Sequence, residues 1–113
     1  MVSLDNRTFV MESSTASRVD PDAPTRFVYR EAAGVLWGEY RGDTVAEGRF
    51  VGVRTGDSLT VSFVHAPVTG GPAVTGTATS RIEHGPDKRL RLVEDFTVEG
   101  LPHVSVCVEV GSS

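Results

Sequence analysis

Arg89-Leu90-Arg91-Leu92-Val93-Glu94-Asp95-Phe96-Thr97-Val98 is the stretch whose pattern decides the fold. Leu90, Leu92, Glu94, Phe96 and Val98 fall on one side of an extended chain, and Arg89, Arg91, Asp95 and Thr97 on the other. Successive side chains of a strand point to opposite faces, so apolar residues at every second position mark a half-buried strand. The alternation recurs outward from this segment. Leu59, Val61, Phe63 and His65 share one face of 58–65, with Ser58, Thr60 and Ser62 opposite. In 73–82, Val74, Gly76, Ala78, Ser80 and Ile82 oppose Thr75, Thr77 and Thr79. In 103–110, Val104, Val106, Val108 and Val110 alternate with His103, Ser105, Cys107 and Glu109, and the valine side is expected to be the apolar, inward one.

Further strand candidates cover 8–11, 26–30, 34–40 and 44–54. No window carries a comparable 3.6-residue period, so little or no helix is expected. Between the candidates lie Ala33-Gly34, Arg41-Gly42-Asp43, Thr55-Gly56-Asp57, Gly70-Gly71-Pro72, Gly85-Pro86-Asp87 and Gly100-Leu101-Pro102. Such clusters supply positive φ or fix it near −65°, which is turn chemistry. Only 13–25, rich in Ser, Thr, Asp, Ala and Pro, reads as a longer loop. Short connections make sequence neighbours spatial neighbours. Eight strands with one apolar face suit a sandwich or a barrel, and closure into a barrel leaves no exposed edge. Gly48 and Gly52, on a face with Ala46 and Phe50, suit tight curvature. The expectation is a single all-β domain over 1–113: an antiparallel up-and-down meander of about eight strands closed into a small barrel.

Composition agrees with one core. The chain has 113 residues, 39% apolar and 23% charged. Its net charge is −4 and its eleven Lys and Arg are scattered, so the basic stripe of a nucleic-acid binder is missing. Cys107 is the single cysteine, which excludes an internal disulfide. Met1 to Asn6 runs directly into polar residues, and no apolar run is long enough to span a bilayer. A cytoplasmic protein with no membrane partner is the expectation. The three histidines and Cys107 do not fall at zinc-ligand spacing. Phosphate loops, dinucleotide fingerprints and nucleophile elbows are also missing, and neither metal nor cofactor is expected.

Glu94 is the most informative residue for function. It interrupts the apolar face of its strand and is therefore aimed into the barrel, where an unpaired carboxylate is costly and its pKa rises. Such a group orients a ligand or acts as general acid or base, unless it pairs with an arginine such as Arg49 or sits at the barrel mouth. His65 ends an apolar face beside a turn and is the second candidate for proton transfer. Tyr29, Trp37, Glu39 and Tyr40 occupy consecutive strands. Trp37 and Glu39 share a parity opposite to Tyr40, and they are expected to face the lumen. Phe50, Phe63 and Phe96, with Phe27 and Leu92, complete an apolar interior of the kind that small-ligand pockets use. Cys107 and His103 share a side expected to face solvent, so a Cys–His nucleophile lacks a water-excluded site.

The order of residues resembles a family of short bacterial proteins commonly labelled N-acetylglutamate synthase. The resemblance rests on Asn6-Arg7-x-Phe9, Phe27-x-Tyr29, Gly38-Glu39-Tyr40-x-Gly42 and Glu47-Gly48-x-x-x-Gly52, then Thr75-Gly76-x-Ala78-x-Ser80 and Leu90-x-Leu92-x-Glu94-x-Phe96. It spans most of the chain in short, degenerate elements. The label implies acetyl transfer from acetyl-CoA, which acetyltransferase domains perform on a mixed α/β fold with a Gly-rich turn at a helix N-terminus. This chain offers neither the helix nor the turn, and acetyltransferase activity is not expected. The family also implies a compact barrel similar to calycins or avidin, whose members bind small apolar molecules.

Three functions fit this scaffold. The first is a barrel binding a small apolar or amphipathic molecule, oriented by Glu94 and His65. The second is a cofactor-free isomerase or cyclase in which Glu94 or Glu39 moves a proton. The third is a packed barrel acting as a homodimerising module through Thr75, Thr77, Thr79 and the last strand. A lumen plugged by side chains favours the third, an open lumen with no strongly shifted carboxylate the first, and an open lumen with Glu94 desolvated beside a second titratable group the second.

Overall fold

A computed structural model describes residues 2–15, 22–85, 87–98 and 100–110. Eight strands run in chain order: β1 (Arg7–Ser14), β2 (Arg26–Ala32), β3 (Val35–Gly42), β4 (Val45–Thr55), β5 (Ser58–Pro67), β6 (Val74–His84), β7 (Leu90–Val98) and β8 (Leu101–Glu109). Each pairs antiparallel with its neighbour, and β1 pairs with β8 to close the barrel. The all-β meander and its closure follow the expectation. Most strand ends shift by one or two residues from expectation, and two of the changes matter. β1 is longer than 8–11 and takes in Ser13, with a register shift between Met11 and Ser13. β8 begins at Leu101, so Pro102 lies within the strand, opposite Thr97. The centre of the expected 13–25 loop, 16–21, lies outside the described residues, as does Pro86 of the expected turn.

Directly opposed residues of an antiparallel pair share a face, so the pairing fixes what points inward. Tyr29, Gly38, Phe50, Phe63 and Gly76 face one another in a row across β2 to β6. Phe27, Tyr40, Gly48, His65 and Val74 form the next row. Rings alternate with glycines for a steric reason. A Cβ at Gly48 would stand 2.6 Å from Cζ of Tyr40, and one at Gly76 would stand 2.6 Å from Cζ of Phe63. The rings therefore lie flat over the neighbouring strand instead of filling the centre of the barrel. That leaves space in the lumen.

One end of the barrel is closed. Leu4, fully buried, plugs it from the segment ahead of β1, and its N–H donates to Glu31 Oε1 at 2.8 Å. Beneath the plug Arg54 Nη1 donates to the same Glu31 oxygen at 2.8 Å, and Arg54 Nε donates to the Gly56 carbonyl at 2.8 Å. Arg7 pairs with Glu109, whose other carboxylate oxygen accepts from the Leu90 N–H at 3.0 Å. Leu36, Leu59, Leu90 and Leu92 pack at this end with at most 2% exposure. Paired charges and buried leucines leave no entry here. Access falls to the opposite end, which carries the β1–β2, β3–β4, β5–β6 and β7–β8 connections.

Candidate functional site

Toward that open end lies a cavity of about 240 Å³. At roughly 30 Å³ per water it has room for about eight waters, or one small organic molecule. Its floor and walls are the rings of Phe27, Tyr29, Tyr40, Phe50, Phe63 and Phe96, with Val61, Val74 and Ala78 between them. Tyr29 and Phe50 pack with ring centroids 4.6 Å apart, and Phe27 stacks on Tyr40 at 5.0 Å. Among the described residues the lumen holds this cavity and is not plugged by side chains.

Two polar features interrupt this apolar lining. The first is Glu94, placed by β7 between Ser80 of β6 and Ser105 of β8, both directly opposite it. Burial pushes its carboxyl from 4.5 up to about 7. Cys107 Sγ donates to Glu94 Oε1 at 3.9 Å, a long contact that offsets little of that cost. Ser80 Oγ and Ser105 Oγ are buried without a hydrogen-bond partner on either side of it. The second feature is a pair at the mouth: the Tyr40 hydroxyl lies 2.8 Å from His65 Nδ1. Burial lowers the pKa of His65, which favours its neutral form, able to accept from the phenol. The Tyr29 and Tyr40 hydroxyls are pushed up, first by burial and then by the charge of Glu94.

The structure brings together Tyr29, Phe50, Phe63, His65, Glu94 and Phe96 around one cavity, as the sequence pattern anticipates. It excludes two residues. Trp37 is 40% exposed and Glu39 lies on the same outer face, with Arg49 reaching Glu39 at 3.6 Å. The reason is register: Gly38 sits between Tyr29 and Phe50 in the inner row, so Trp37 and Glu39 on either side must point out. Tyr40 takes the inward place that was expected of Trp37. Arg49 is therefore outside as well, held by Glu47 and Glu39, and does not neutralise Glu94.

The last strand is also inverted relative to expectation. Leu92 pairs with Cys107 and Glu94 with Ser105, so Ser105, Cys107 and Glu109 are buried while Val104 is 42% exposed. Valine favours any half-covered pleated surface, and its repetition signals a strand without saying which face is the core. Cys107 does not approach a histidine nucleophile partner: His103 stacks on Phe96 and contacts Thr15 through Nδ1 at 3.2 Å. Ala46, expected beside Gly48, is exposed because the register shifts between Val45 and Glu47. Sequence reasoning also missed Met11, Thr25, Val45 and Ser105 in the lining. A signal for Tyr40 was present in Gly48, since a glycine amid a strand marks where a neighbouring ring needs space.

A family model described as Avidin-like protein matches residues 2–110. Searches of curated proteins and of solved structures return no significant match.

Proposed function

The chain belongs to the avidin-like protein family, and from that premise we propose that its lumen binds one small, partly apolar molecule. The observation that carries this is the cavity of about 240 Å³, lined by aromatic and aliphatic side chains and interrupted by few polar groups. Pre-formed apolar concavities with a small number of oriented polar atoms are what small-molecule sites look like. Burial against the rings supplies affinity, and Glu94 with the Tyr40–His65 pair supplies orientation.

Native mass spectrometry of the purified protein, followed by denaturation, tests the reading. A released compound of matching size, lost in an Ala78→Phe variant whose ring fills the cavity, supports it. An empty protein that also shows no thermal shift with small aromatic alcohols and amines overturns it.

One observation favours a second reading, a cofactor-free isomerase or cyclase. Glu94, with its carboxyl at about 7, lies within electrostatic reach of Tyr29 and Tyr40. A carboxyl that titrates near neutrality both takes and returns a proton efficiently. Turnover of a bound compound, abolished by Glu94→Gln with binding retained, would establish it. Unchanged chemistry of every bound compound would leave binding as the whole function.

A further inference from the structure

The charges around the lumen are one-sided. Among the described residues lining the cavity, Glu94 is the only Asp, Glu, Lys or Arg. Arg7, opposite Tyr29, and Arg54, opposite Leu59, are paired at the closed end with Glu109 and Glu31. Among the described residues, no cation pairs with a carboxylate here. The groups that face it are Tyr29 from β2, Tyr40 from β3, His65 from β5, Ser80 from β6, and Ser105 and Cys107 from β8. None of these is positive at neutral pH.

The lining adds one further preference of the same sign, and one hydroxyl open to a ligand. Aromatic rings present negative faces, and six of them enclose this cavity. Ser105 Oγ, beside Glu94 and bordering the cavity, is buried with no partner. A buried hydroxyl without a partner can accept from a ligand N–H, and can equally donate its own proton. An anion would meet the carboxylate and the ring faces, both repulsive. An uncharged molecule would be met by the protonated carboxyl and would gain no charge-assisted hydrogen bond.

Building on the binding function proposed above, we infer that the ligand is a small organic ammonium ion. Its N–H groups reach Glu94 and Ser105, and its apolar tail lies among Tyr29, Phe50, Phe63 and Phe96. A charge-assisted hydrogen bond in a water-poor site is stronger than a neutral one. Cation–π contact with the rings adds to it.

The test compares three probes of one shape by titration calorimetry: 2-phenylethylammonium, 2-phenylethanol and phenylacetate. At pH about 8.5 Glu94 is ionised and an alkylammonium, which resembles lysine, is still protonated. The ammonium is expected to bind at least about tenfold tighter than the alcohol, and phenylacetate not at all. With the Glu94 carboxyl at about 7, an ion that binds only the carboxylate loses about 30-fold in affinity at pH about 5.5, while the alcohol changes little. Protonation of His65 at low pH acts in the same direction. Glu94→Gln should abolish the preference for the ammonium and keep binding of the alcohol. Should that variant fail to fold, the pH series on the unmodified protein decides alone.

Alcohol binding as tight as the ammonium, or ammonium binding indifferent to pH, overturns the charge assignment and leaves lumen binding standing. Failure of the ammonium and the alcohol to bind overturns the charge assignment, and overturns lumen binding as well where the protein also releases no compound on denaturation.

Discussion

The hydroxyl of Tyr40 meets Nδ1 of His65 at 2.8 Å across an intervening strand, because Gly48 lies opposite both residues and carries no side chain. The site's mouth is thus shaped by a missing group. Gly48→Val would place Cβ about where the Tyr40 ring now lies, 2.6 Å from Cζ. The variant should lose roughly 1–3 kcal/mol in urea unfolding, the usual range for overpacking. It should also lose the Tyr40–His65 contact, read as changed His65 ring chemical shifts by NMR. A variant as stable as the parent with unchanged His65 ring shifts would contradict this account.

Glu94 makes stability fall as pH rises. Its carboxyl goes from 4.5 in the unfolded chain to about 7 in the fold. Below pH 4.5 the group is protonated in both states, and burial of a charge costs nothing. Between pH 4.5 and about 7 the unfolded chain releases this proton while the fold retains it, a loss of roughly 3 kcal/mol that levels off above pH 7. Glu94→Gln should therefore gain stability over the parent as pH rises from about 4 to about 8. His65 has the opposite sign: its lowered pKa costs stability as pH falls below 6.5. That contribution is common to both proteins and cancels in the difference. Parallel pH profiles for the two would refute a desolvated Glu94.

Cys107 is fully buried, and burial followed by the Glu94 charge raises its thiol pKa. A buried neutral thiol is inert. Iodoacetamide should label the folded protein only as fast as the barrel opens, and label it at once in denaturant. Rapid labelling of the native protein would mean that β8 has the other face inward.

Trp37 reports on the same question for β3. Being on the outer wall, where Val51 lies opposite it in β4, it should emit at the long wavelength of a solvated indole. Acrylamide should quench it, and a lumen ligand should leave its emission unaltered. A blue-shifted emission that responds to ligand would restore Trp37 to the lumen.

Much of this was legible in the chain. Strict alternation in β5, β6 and β7 placed Phe63, His65, Ala78, Glu94 and Phe96 on the inner face, because one apolar side was broken only by single polar residues. Glu94 stood out as a carboxylate in an otherwise apolar series. β3 and β8 resisted the same treatment. In β3 both parities hold an aromatic, Trp37 against Tyr40, and in β8 the branched aliphatics lie outside. Where both faces carry apolar residues, period two identifies a strand and leaves its face undetermined.

The sequence by itself determined the number of strands, their antiparallel order and the presence of one carboxylate on an inner face. Those follow from alternation and turn residues, which are local properties of the backbone. Only the tertiary structure decided that Tyr40 and not Trp37 lines the cavity, that Arg49 stays outside, and that no cation among the described residues pairs with Glu94. Those depend on register between strands, where a shift of one residue carries a whole strand's side chains to the other wall.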